Sequence, residues 1–128
     1  MNSTARDITE FLDLNGFGTA GTDLFAYEWN QDVDAQVCLI DSEGFESEVP
    51  NSYRIAGLQI LARGEIGGNP NDTFQIISAI DAFLVASGTI ELNDSRYVGG
   101  VFQTGSVGFV GRDEDGRSVY SANYYVYR

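Results

Sequence analysis

The sequence contains no histidine and no lysine, and its seven basic residues are all arginine: Arg6, Arg54, Arg63, Arg96, Arg112, Arg117 and Arg128. That absence removes the lysine of a phosphate loop or a Schiff base, the Ser-His and Cys-His pairs, and the imidazole metal ligand. Most common catalytic designs are excluded with them. Cysteine occurs once, as Cys38, so no internal disulfide can form. In the apolar run Val37-Cys-Leu-Ile40 it reads as a buried structural thiol, because a reactive one wants an electropositive, accessible setting. No apolar stretch approaches the length of a membrane span. The opening MNSTARDITE has neither a basic nor an apolar region, so no secretory signal is expected and the protein is expected to be soluble and made in a cytoplasm. Positive charge is scarce, with 7 basic residues against 19 acidic and a formal net charge of −12. Affinity for DNA comes chiefly from cations that displace condensed counterions, so no nucleic-acid partner is expected.

A chain of 128 residues makes one domain, residues 1–128, that buries about two-thirds of its unfolded surface. Ser3 or Thr4 caps a first helix, with Thr4 and Asp7 at capping-box spacing, Ala5, Ile8, Phe11 and Leu12 as its apolar side, and a stop at Asn15-Gly16. Asp7, Glu10 and Asp13 recur opposite, as a solvated face or, alternatively, an acidic docking surface. Leu24 to Trp29 and Gln36 to Asp41 read as strands, Asp41-Ser-Glu-Gly44 as a turn, and Glu43 to Pro50 as a surface loop. Arg54 to Arg63, apolar on both faces in its middle, is expected to be a central strand covered on both sides. A second helix runs from Pro70 to Ser87 behind Asn69 as N-cap, with Phe74, Ile77, Ile80, Phe83 and Leu84 as its buried face.

Three motifs suggest ligands. Gly16-Phe-Gly-Thr-Ala-Gly21 has the spacing of a dinucleotide-binding turn, but it follows a helix and leads into a strand, the reverse of what that mechanism needs, and reads as a flexible connector. Asn30-x-Asp32-x-Asp34 partly copies a calcium loop, with Ala35 where the sharp turn needs glycine; Asp113-Glu-Asp115-Gly116 lacks a first carboxylate. No metal or other cofactor is expected. Carboxylate pairs could do acid-base work, but no second catalytic residue type anchors them, so an enzyme is not expected.

The last eighteen residues, GRDEDGRSVYSANYYVYR, carry the most information. Asp115-Gly116 is a tight-turn pair between apolar runs, so the segment folds back as a β-hairpin. Its second arm alternates, with Tyr120, Ala122, Tyr124 and Val126 on one face and Ser121, Asn123, Tyr125 and Tyr127 on the other. A glycine and arginine, an acidic turn closed by Gly-Arg and a final Ser-x-Asn-aromatic strand together resemble the C-terminus of phage tail terminator proteins. Upstream, the apolar run Leu58-Gln-Ile-Leu-Ala-Arg-Gly64 looks like that family's central strand, followed by one amphipathic helix and by strands between Tyr97 and Val110.

The expected fold is α+β: a mixed, mostly antiparallel sheet of five or six strands, packed by two helices and ending in a hairpin. The resemblance implies a structural virion protein without catalysis or cofactor. It would form a homohexameric ring, possible as monomers in free solution, that caps the head-proximal end of a tail tube, stops its growth and meets the head-tail connector. The alternatives are another neck or tail-completion subunit and a small acidic, calcium-dependent binding module. Candidate contact residues for a neighbouring subunit or partner are Arg112, Asp113, Glu114, Asp115 and Arg117 at the hairpin tip, and Glu43, Glu46 and Glu48. The competing role for the tip is local pairing, worth at most about 1 kcal/mol per exposed ion pair.

Overall fold

The computed structural model describes residues 3–45, 55–92 and 97–128. Helix α1 (Thr4–Leu14) is followed by β1 (Leu24–Ala26), β2 (Gln36–Phe45) and β3 (Ile55–Ile66), then by helix α2 (Pro70–Ala86), the short β4 (Ile90–Glu91) and β5 (Tyr97–Val98), and β6 (Gly100–Gln103), β7 (Gly108–Arg112) and β8 (Arg117–Tyr127). Six strands form one sheet in the order β1-β2-β3-β8-β6, with β7 also on β8; β4 and β5 pair separately. Every pairing is antiparallel except β1 with β2. The α+β expectation therefore holds. Its alternating C-terminal strand takes a central place, with β3 along one side and β6 and β7 end to end along the other.

The core follows from alternation. Leu58, Ile60 and Ala62 of β3 lie beside Tyr124, Ala122 and Tyr120 of β8, and all but the half-buried Tyr120 are essentially inaccessible. Against this face pack Ala5, Ile8 and Leu12 of α1 and Ile77, Ile80 and Leu84 of α2, while Phe11 stacks on Phe83 at 5.4 Å between ring centroids, tying the helices together. Both helices cover one face of the sheet. Gln59 and Leu61, on the opposite face of β3, are only half-buried, so the expectation that α2 completes a strand covered on both sides is corrected. Phe74 is likewise 37% exposed, and Thr73 is the α2 residue that turns inward beside it.

Helix α1 begins at Ser3, whose side chain accepts from the Arg6 amide, and the Ala5 amide donates to Asp41 Oδ1 of β2 at 2.8 Å. Thr4 and Asp7 form no capping box. They grip the last residue instead: Arg128 Nη1 donates to Thr4 Oγ1 at 3.0 Å, and Arg128 pairs with Asp7, whose side chain is fully buried. Asp7 thus leaves the solvated stripe in which its spacing had placed it.

Two strand boundaries also move. β1 stops at Ala26 because Tyr27 has φ +80, a left-handed conformation that breaks a strand. β2 continues through the expected turn at Asp41 to Gly44 as far as Phe45, which pairs with Ile55 after a register shift. Gly44 is needed there for closeness: a Cβ would lie 2.1 Å from the Ile55 carbonyl oxygen.

Candidate functional site

One end of the sheet gathers the β7–β8 hairpin, the β1–β2 connection and the end of β3. At the hairpin tip the Asp113 amide donates to the Arg117 carbonyl at 2.9 Å and the Gly116 amide to the Asp113 carbonyl at 3.0 Å. Gly116 alone of the tip residues has a positive φ, +82, which makes a three-residue loop closed by a left-handed glycine, in place of the expected two-residue Asp-Gly turn. Asp113 Oδ1 accepts from the amides of Asp115 and Arg117 at 3.0 and 2.9 Å. These hydrogen bonds, that from the Arg117 amide foremost, hold the Asp113 carboxyl below its ordinary pKa.

Arg117 is the hub. Its Nε and Nη2 donate to Asp34 Oδ1 at 3.0 and 2.8 Å, and its Nη1 to Asp115 Oδ2 at 2.7 Å and Asp113 Oδ2 at 3.3 Å. The pairing with Asp34, then that with Asp115, raises its pKa above the usual guanidinium value. Asp34 is thereby committed to an arginine, and Asn30 Oδ1 accepts from the Asp32 amide, so two of the three residues at calcium-loop spacing serve the loop itself. Arg63 completes the anchorage. It lies over the Trp29 ring at 4.8 Å and donates to the carbonyls of Asp34 and Val33 at 3.2 and 2.6 Å, while Gln36 Nε2 reaches the carbonyls of Asn30 and Val33. Burial, and next the like charge of Arg117, lower the Arg63 pKa. Nine residues thus make a parallel crossover that ordinarily takes a dozen or more, because three buried side chains satisfy its carbonyls and carboxylate.

The Arg-Gly pair that ends the apolar run of β3 has a division of labour. Arg63 holds the loop; Gly64 lets the helix approach. A Cβ at Gly64 would lie 2.3 Å from Thr73 Oγ1 and 2.9 Å from Ser118 Oγ, the two hydroxyls that hydrogen-bond at 2.6 Å between α2 and β8.

The sequence candidates fall into two places. Arg112, Asp113, Glu114, Asp115 and Arg117 come together at the tip, where with Gln31 and Arg63 all but Arg112 line an open cleft of about 430 Å³. Arg112 binds internally, to the carbonyls of Gly116 and Gly68. Glu114 is exposed. Glu43 lies on β2, seven residues along from Gln36 and so about 23 Å from this end at ~3.3 Å per residue; Glu46 and Glu48 lie outside the described residues. Sequence reasoning missed Asp34, Gln36 and Arg63 as parts of the site. A cation closing an apolar strand was the available signal for Arg63. The connector from Gly16 to Gly21 is not loose: the Ala20 amide donates to Asp13 Oδ2 and the Thr19 amide to Asp23 Oδ1, with Phe17 packed on Phe83.

A two-helix layer on one face of a mostly antiparallel sheet, with one sheet end braced by arginines, defines a small α+β scaffold whose charged groups largely hold its own loops. Residues 11–127 match the family described as bacteriophage tail terminator protein, and the chain belongs to that family. Its role is accordingly that of a structural component of a phage tail. No curated protein matches the chain significantly.

Proposed function

We propose that the protein caps the head-proximal end of a phage tail tube as a homohexameric ring, ends tube polymerisation and offers the surface to which the head connector joins. Family membership across residues 11–127 carries this reading. Ring contacts of the head-to-tail kind close when the rotation per subunit is right. The cap works by surface complementarity: one face matches the last tube ring, and the other no longer resembles it, so a further tube subunit finds no seat. Assembly takes place in the host cytoplasm, and no catalytic step is required.

The hairpin tip is the contact we assign to a neighbouring subunit or the tube, with Glu43, Glu46 and Glu48 as a second acidic contact. At the tip Arg112, Asp113 and Arg117 serve the fold, which leaves Glu114 and the outward side of Asp115 to face a partner. Two features support a one-sided cap. The β1 edge is closed by its own chain, through the Ala20–Leu24 bridge and the Gly21 amide bonded to the Leu24 carbonyl, whereas β7 has β8 as its one partner among the described residues.

Electron micrographs of tails from a phage lacking this protein test the proposal. Overlong or unjoined tails are expected. Tails of normal length attached to filled heads would refute the role.

A further inference from the structure

Helix α2 is apolar on both of its sides. Ile77, Ile80 and Leu84 enter the core, yet on the two flanks of that stripe Ile76 is 43% and Val85 49% exposed, with the exposed Gln75, Ala79, Ala82 and Ala86 between them on the outer side. Apolar side chains thus run past the single buried stripe of an ordinary surface helix. From Phe74 to Ala86 its one charged residue is Asp81, which is turned to the sheet and accepts from the Tyr124 hydroxyl at 2.6 Å and Gln103 Nε2 at 2.9 Å. From Phe74 onward the outer side therefore carries no charge, and the exposed Asp72 in the first turn marks its limit. It continues sideways through rings in contact: Phe74 lies 5.6 Å from Tyr120, and Tyr120 lies 5.1 Å from Phe109. Phe109, on β7, is 54% exposed, and its neighbour Val110 63%.

We propose that this uncharged surface, from the outer side of α2 through Phe74 and Tyr120 to Phe109 on β7, is where copies of the chain bind one another. Charge selects the occupant. Each copy carries −12, so two copies approach with strong mutual repulsion, and a contact placed on carboxylates would add to it; of the two partners offered above for the acidic hairpin tip, this leaves the tube. A basic partner would be met by an acidic surface, of which the chain has plenty elsewhere. A stretch of exposed apolar side chains swept clear of acids is what an equally acidic copy requires, and such patches mark association surfaces in general. The edge of β7 that has no partner among the described residues lies at the same border, where backbone groups of a second copy can pair. The inference rests on the ring reading for the number of copies but not for the contact itself.

The test compares the wild-type chain with Ile76→Glu/Val85→Glu and, separately, Phe109→Glu, by sedimentation and light scattering across concentration in dilute buffer and in about 1 M salt, where screening acts within ~3 Å. These positions are exposed, so folding, read by circular dichroism and melting, stays close to wild type. Wild-type chains are expected to associate more strongly as salt rises, and each variant to lose roughly tenfold or more in association. Variants that associate as the wild type does would overturn the proposal, as would a wild type that stays monomeric in high salt at every concentration. A variant that self-associates normally but no longer completes tails would assign the surface to another tail protein and overturn it too. The ring reading is judged apart from all three, by the tails of the deletion phage.

Discussion

Replacing Gly64 with alanine tests whether the Arg-Gly pair at the end of β3 is fixed by packing. The added Cβ would sit 2.3 Å from Thr73 Oγ1, about 1.1 Å inside the 3.4 Å at which ordinary contact begins. Neither neighbour can step aside without loss, since Thr73 and Ser118 are each 1% exposed and bonded to one another at 2.6 Å. Overpacking of this kind costs about 1–3 kcal/mol, and separating two buried hydroxyls costs about 1–3 kcal/mol more. Gly64→Ala should therefore destabilise the protein by roughly 2–6 kcal/mol. The control is Thr73→Ala, which by itself leaves the Ser118 hydroxyl short of a partner at about 1–3 kcal/mol. Combined with Gly64→Ala it removes the nearer of the two colliding oxygens, leaves the Thr73 Cβ position at 3.7 Å, an ordinary contact, and frees Ser118 Oγ, at 2.9 Å, to turn away. Equilibrium denaturation of the four proteins should give a double variant more stable than the sum of the singles predicts, by about 1–2 kcal/mol. Strict additivity, or a Gly64→Ala protein as stable as wild type, would show that the glycine is there for another reason.

Arg128→Met removes the guanidinium that faces Asp7, a carboxylate 1% exposed at its side chain, and should cost about 3–5 kcal/mol; a loss under about 1 kcal/mol by denaturation would place the pair among weak surface contacts. Asp113 has a lowered pKa in the folded state, so its stabilising contribution is complete above the unfolded value near ~3.9 and fades as pH falls through the folded one. Asp113→Asn keeps the two amide bonds at the turn and should flatten the loss of melting temperature below about pH 4, and an acid limb as steep as that of the wild type would refute the role of the Asp113 carboxylate. Burial, and next the charge of Glu28, push the Cys38 thiol up to about 11, so thiol reagents at neutral pH should modify it at the rate of unfolding, and fast labelling of the native protein would contradict its place in β2.

How far the sequence disclosed this molecule depends on how local each cause is. The alternation of Tyr120, Ala122, Tyr124 and Val126 fixes the inner face of β8 through side-chain period alone, and Asn69-Pro70 starts α2 through a side-chain acceptor and a preset φ. Both are readable without tertiary knowledge. The role of Asp7 was not, because its partner lies 121 residues away, and acid spacing along a helix looks the same whether the acids meet water or a buried guanidinium. Gly44 misled for a related reason: a glycine demanded by close approach to Ile55 reads in sequence like one demanded by a turn. At the candidate site, the five tip residues were legible as a cluster because they are contiguous. Asp34, Gln36 and Arg63 come from two other segments and were legible only through their chemistry, an arginine ending an apolar strand before a loop rich in acids and carbonyls.

The distribution of arginine explains why the protein's surface is so acidic and why that matters for assembly. Arg63, Arg112, Arg117 and Arg128 all turn to the chain's own carbonyls or carboxylates, so most of the positive charge acts within the fold, bracing the loop end and clamping Arg128 to α1. What remains outside is largely carboxylate, interrupted by the uncharged side of α2 and by Phe109. Such a surface discriminates by repulsion first: acidic partners are held off everywhere except where the acids are missing. On the proposed ring and contact, the same chain keeps its copies apart while dilute and joins them where local concentration is high, as at the end of a tube that offers several seats side by side. Assembly on the tube requires no conformational change under this scheme, because a raised effective concentration overcomes the residual repulsion at the uncharged face.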